Sequence, residues 1–270
     1  MLAARIGAQA ILEPLQCCPA NAPATEMREL LGERGFDVAG VMQEAGGSVI
    51  GFVIANELSQ GTVQDHKKPL NAEHLISDAT PVADLLKVLR EKERAFVLVG
   101  PEVKGIVTLA DLNKPPIRIY LFGLVSLLEM HVRFWVRNAY PNDAWKERLA
   151  DKRLEYANKI QTERKKRNQQ IDLLDCVQFC DLSDLVVGKD ELPGRLGFEN
   201  KKQAAELLGK AEKLRDILAH SQHDLVEGTS WQELIGLVDQ MEAFVHRSDD
   251  AVEHEARSSK KDGPSLWTVA

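Results

Sequence analysis

The stretch Gly105–Glu129, GIVTLADLNKPPIRIYLFGLVSLLE, divides the chain into two kinds of structure. Gly105–Leu112 reads as a strand that turns into a helix. Asn113-Lys114-Pro115-Pro116 reads as a break, because each proline lacks an amide hydrogen and restricts the residue before it. From Ile117 to Arg137 apolar residues recur at helical spacing: Leu121, Leu124, Val125, Leu128, Val132 and Trp135. The expected fold class is α+β, with a small α/β unit before the prolines and an all-helical bundle after them.

Upstream of this stretch one pattern occurs twice. A helix from Thr25 to Arg34, with Met27, Leu30 and Leu31 inward, stops at Gly35. A strand at Val38–Met42, a turn at Gly46-Gly47 and a strand at Val49–Ile54 follow. Thr80-Pro81 then opens a second helix, Val82–Arg90, carrying Leu85, Leu86 and Leu89. Phe96–Val99 and Ile106-Val107 are its strands. Gly51 and Gly105 stand 54 residues apart, so a helix–strand–strand unit repeats at that interval. Residues 1–21, rich in alanine and proline, read as a lead-in.

The repeat resembles a tandem pair of CBS (cystathionine β-synthase) domains over residues 22–114. The second copy carries the family's closing motif as Gly105, Ile106, Thr108 and Asp111. The resemblance implies a regulatory adenosine nucleotide, AMP, ADP or ATP, held by these four residues. Thr108 would present its hydroxyl and neighbouring amides to phosphate at a helix N-terminus. Asp111 would accept both ribose hydroxyls. The alternative is that Thr108 caps the helix and Asp111 complements its dipole. The first copy has Ile54 and Glu57 where Thr and Asp are expected, so at most one nucleotide site is expected.

Beyond the prolines, residues 145–170 carry nine basic residues against four acidic ones, the one basic stretch of the chain. It reads as a solvated helix face or as a phosphate-contacting surface. Ile171–Leu185 returns to apolar periodicity, and Gly188–Asn200 reads as a loop. Lys201–Ser221 has a seam of Leu207, Ala211, Leu214 and Leu218. Trp231–Val245 is a last helix, and residues 248–270 read as a disordered tail.

Arg215, three residues from the end of that seam, and His220 beyond it resemble the signature of HEPN (higher eukaryotes and prokaryotes nucleotide-binding) domains, covering residues 117–247. Where that family usually has Asn after the Arg, this chain has Asp216. The resemblance implies a metal-independent endoribonuclease acting on single-stranded RNA as a homodimer. His220 would move the proton of the ribose 2′-hydroxyl and Arg215 would hold the phosphate. Five residues apart in a helix, the two side chains point about 140° apart. One site can use both only if the helix ends near Ala219 or a second subunit supplies one of them. The competing expectation is a nonenzymatic nucleotide sensor whose bundle serves dimerisation or partner binding.

The formal net charge of −7 argues against nonspecific binding to a DNA duplex. Cys17, Cys18, Cys176 and Cys180 lack zinc spacing, so no metal is expected. Cys176 and Cys180 are expected one turn apart on a single helix. Idle thiols, no signal peptide and charged residues within Ile117–Val136 lead to the expectation of a cytoplasmic protein without a membrane span.

Overall fold

The computed structural model describes residues 6–220 and 224–261, the side chains of 253–261 excepted. The chain divides into two compact units, Met1–Tyr120 and Leu121–Ala270.

The first unit contains a short strand β1 (Glu13–Pro14) and two β-α-β-β repeats. The first repeat is β2 (Cys17–Pro19), α1 (Ala24–Glu33), β3 (Val38–Met42) and β4 (Val49–Ile54). The second is β5 (Leu75–Ser77), α2 (Val82–Lys92), β6 (Arg94–Val99) and β7 (Glu102–Thr108). They form sheets of order β2-β3-β4 and β1-β7-β6-β5. In both repeats the first strand lies parallel to the second, and the second antiparallel to the third. Even the irregularities repeat. The register shifts between Val41 and Met42 in one hairpin and between Val97 and Leu98 in the other. Each helix follows an extended proline, Pro23 or Pro81.

Both repeat glycines have a packing reason. A Cβ on Gly51 would lie 2.5 Å from Lys67 Cγ and 2.6 Å from Lys68 O. One on Gly105 would lie 3.0 Å from Leu12 Cδ1 and 3.2 Å from Glu13 O. A chain segment crosses each glycine and bonds to the strand beside it: Lys68 pairs with Phe52, and Glu13 with Ile106.

Several expectations are corrected. Residues 6–20 are not a lead-in, because they supply β1 to one sheet and β2 to the other. Leu15 and Cys18 enter the core; Leu15 shares a cluster with Phe52 and Phe96, whose rings lie 4.9 Å apart. Leu30 is exposed, leaving Leu31 as the fully buried residue of that turn. After Thr108 the chain forms a 3-10 turn, Leu109–Asn113, and Pro115-Pro116 are no break: they begin α3 (Pro115–Ala139). First-turn amides have no intrahelical partner, so proline costs little there.

In the second unit α4 (Asp151–Lys166), α5 (Phe179–Gly188), a short α6 (Leu192–Arg195), α7 (Lys201–Ala219) and α8 (Trp231–Lys261) follow. The α3 stripe is buried as its spacing required. Each such leucine contributes about 1.5–3 kcal/mol of burial. By length and composition α3 is the one helix among the described residues able to cross a membrane. Helix α7 packs on α5 and α8, with Leu207, Ala211 and Leu214 buried and Leu218 half-buried. Gly188–Asn200 is not wholly loop, since it holds α6. Cys176 lies in a 3-10 turn and Cys180 in α5, both as free thiols.

Residues 262–270 lie outside the described residues, and for residues 248–261 the tail expectation fails, because α8 runs to Lys261. Its residue 248 is also buried in a polar chain. Trp135 Nε1 donates to Ser248 Oγ (2.7 Å), and that hydroxyl lies 2.9 Å from His131 Nδ1. His131 Nε2 lies 3.2 Å from Asp249 Oδ1. The network is satisfied when Nε2 carries the proton. Trp267 lies outside the described residues.

Two measurements test this description. Glu93, at the end of α2, sits in the left-handed region at φ 61°, where the first repeat has Gly35 at φ 70°. Glu93→Gly should raise stability by about 1 kcal/mol, read as a higher urea midpoint; a lower midpoint would contradict the strain. Burial pulls the His131 imidazole below its ordinary value, against the opposing pull of Asp249. The folded chain therefore takes up this proton less readily than the unfolded one. Its contribution to stability is present above the ordinary histidine range and lost as pH falls through the lower folded value. Melting curves between about pH 7 and pH 5 should show this loss, and His131→Gln should flatten it.

Candidate functional site

A cleft of about 460 Å³ opens where the two repeats meet. Its lining includes Phe36, Asp37, Glu93, Arg94, Thr108 and Asp111. The residues that follow α1 and α2 meet there with the end of β7. Ile106 also lines it, whereas Gly105 lies beneath the β1 crossing.

Thr108 and Asp111 form a closed capping box at the start of the 3-10 turn. Thr108 donates to Asp111 Oδ2 from its backbone N (2.7 Å) and from its hydroxyl (3.0 Å). Lys114 Nζ pairs with Asp111 Oδ1 at 2.8 Å and also with Glu13 and the Ile11 carbonyl. Burial alone would lower the Lys114 pKa, but Asp111 and Glu13 together outweigh it and hold the ammonium above its ordinary value. A carboxylate offers about four acceptor positions. With three occupied, buried Asp111 has room for one ribose hydroxyl and not two, unless Lys114 lets go. The phosphate seat expected at Thr108 is likewise taken, since its amide is bonded and the turn has five residues.

The same chain supplies a control. Thr62 and Asp65 form an identical box, with bonds of 2.8 and 2.9 Å, on an exposed turn away from the cleft. The T-x-x-D spacing is therefore first a way to start a turn. Burial and Lys114 set the Asp111 copy apart.

The residue the sequence reading missed is Arg94. It opens β6, directly across the ladder from Thr108. Its Nη1 is buried without a hydrogen-bond partner among the described residues. An orphaned guanidinium nitrogen costs about 1–3 kcal/mol or more, unless an acceptor reaches it. Asp37 and Glu93, also in the lining, have no hydrogen-bonding or ionic side-chain partner among the described residues. Glu57, which stands in the first repeat where the second has Asp111, pairs with Lys68 at 2.7 Å.

In the helical unit Arg215 and His220 are not brought together. Arg215 Nη2 and Nε lie 3.1 and 3.3 Å from Asp216 Oδ1, and its guanidinium sits 5.9 Å over the Phe179 ring. His220 is the exposed C-cap of α7. The basic stretch forms α4, exposed but for Ala157 and a few half-buried positions; Arg153 faces Asp181, and Lys166 pairs with Glu163.

No family model matches the chain, and no curated protein matches it. Solved structures of CBS domains are similar over about two fifths of its length. The CBS domain of a bacterial CNNM/CorC family Mg2+ transporter in complex with ATP is 20% identical. That match covers 41% of this chain and 87% of the other, with a TM-score of 0.35. The CBS-pair protein CBSX2 from Arabidopsis thaliana, in complex with AMP, is 18% identical. Here 42% of this chain and 97% of the other are covered, at a TM-score of 0.37. A conserved CBS domain protein of unknown function from Thermoplasma acidophilum is 17% identical, covering 40% and 67%, at a TM-score of 0.35. The nucleotides named belong to those proteins.

Proposed function

We propose that Met1–Tyr120 is a CBS-type pair that binds one adenine nucleotide, AMP, ADP or ATP, in the inter-repeat cleft. The helical unit is then the output, a dimerisation or partner-binding module whose engagement the nucleotide biases. The observation that carries this reading is the unpartnered Nη1 of Arg94 beside Thr108 and Asp111. Arg94 is the phosphate ligand. Asp111 holds Thr108 in place and takes one ribose hydroxyl. Ile106 flanks the nucleoside. The first repeat binds none, because Ile54 offers no hydroxyl and Glu57 is occupied by Lys68.

Calorimetric titration of the full chain with AMP tests this. A charged hydrogen bond contributes about 1.5–3 kcal/mol, so Arg94→Ala should weaken binding about 10- to 100-fold. Unchanged affinity in that variant removes Arg94 from the site, and absence of binding by every nucleotide removes the function.

A second reading makes the helical unit a HEPN-like endoribonuclease acting on single-stranded RNA. The exposure of His220 favours it, for that imidazole is open to a substrate. Arg215 must then exchange Asp216 for a phosphate, and a second copy must complete the site. With EDTA present, cleavage of labelled RNA to cyclic-phosphate ends by the native chain but not by His220→Ala supports it. Equal cleavage by both, or by neither, leaves the sensor alone.

A further inference from the structure

We infer that the cleft selects the least charged nucleotide, AMP over ADP over ATP, because the unpartnered donor of Arg94 shares it with the unpaired carboxylates of Asp37 and Glu93. This rests on the nucleotide reading above and adds the ligand class to it. The charge inventory of the cleft is the ground. Among the described residues four carboxylates line it: Glu13, Asp37, Glu93 and Asp111. Lys114 pairs with two of them, Glu13 and Asp111. Asp37 and Glu93 have no paired cation among the described residues, and Arg94 is the one basic residue of the lining among them.

Distance makes these charges felt. Asp37, Glu93 and Arg94 line one cleft of about 460 Å³. Charges within about 10 Å of one another are incompletely screened at moderate salt, so an anion bound there is felt by both carboxylates. AMP carries about two negative charges near neutrality, and each further phosphate adds about one. One guanidinium can hold the first phosphate through two hydrogen bonds. A second or third phosphate finds no further cation in the lining and meets like charge instead, which disfavours that ligand.

The two free carboxylates come from corresponding places in the two repeats. Asp37 stands just before β3 and Glu93 just before β6. Glu93 holds its place in a left-handed conformation that Gly35 adopts without cost in the first repeat. The negative charge at this rim is thus seated on a strained backbone position.

The test is titration of the full chain with AMP, ADP and ATP in metal-free buffer at low salt. ATP should bind at least about tenfold more weakly than AMP, with ADP between them. The isosteric pair Asp37→Asn with Glu93→Gln should narrow that ratio, chiefly by strengthening ATP. Raised salt should narrow it as well. ATP binding as tightly as AMP, or a ratio the double variant does not move, overturns the inference while leaving nucleotide binding intact. If none of the three binds, the nucleotide reading itself is removed, and this inference with it.

Discussion

The buried carboxylate of Asp111 ties the end of the second repeat together. One oxygen closes the turn after β7 by accepting from Thr108 twice. The other holds Lys114, which also reaches Glu13 on β1. The strand that crosses Gly105, the turn that ends β7 and the residue that precedes α3 are thus joined through one side chain. Removing it would leave the half-buried Lys114 ammonium with only Glu13 and the Ile11 carbonyl, and the half-buried Thr108 amide without its acceptor, a destabilising loss. Any ligand that needs more than one contact from this carboxylate must compete with Lys114.

How much of this was legible depended on length and period. Helix α2 and the α3 stripe were readable because their leucines recur over several turns. The hairpins were readable because glycines mark them. Strands β1, β2 and β5 were not, since two or three residues carry no alternation. The prolines at 115 and 116 were misread as a break because a first-turn proline and a helix-ending proline look alike without the preceding turn. Helix α8 was cut short because its last turns lack an apolar stripe, although alanine, glutamate, lysine and arginine favour helix.

The candidate site was half legible. Thr108 and Asp111 stood out by their spacing, yet Thr62 and Asp65 show that the spacing belongs to the turn. Arg94 could not be found in the sequence, because its relation to Thr108 exists only once the register across β6 and β7 is known. That register shifts by one residue between Val97 and Leu98, near the turn. Arg215 and His220 were legible as a pair of residue types. Their separation around α7, and the grip of Asp216 on the guanidinium, follow from helix geometry and local charge.

The short segment from Glu13 to Pro19 places one strand in each sheet, with Gln16 and its neighbours bridging them. The duplication therefore cannot be taken apart at the middle of its sequence. A second repeat cut free would lose the cover over Gly105 and bare the edge of β7, and bare edges recruit other chains. The two halves, alike as they are, form one inseparable folding unit whose fastening lies at its beginning.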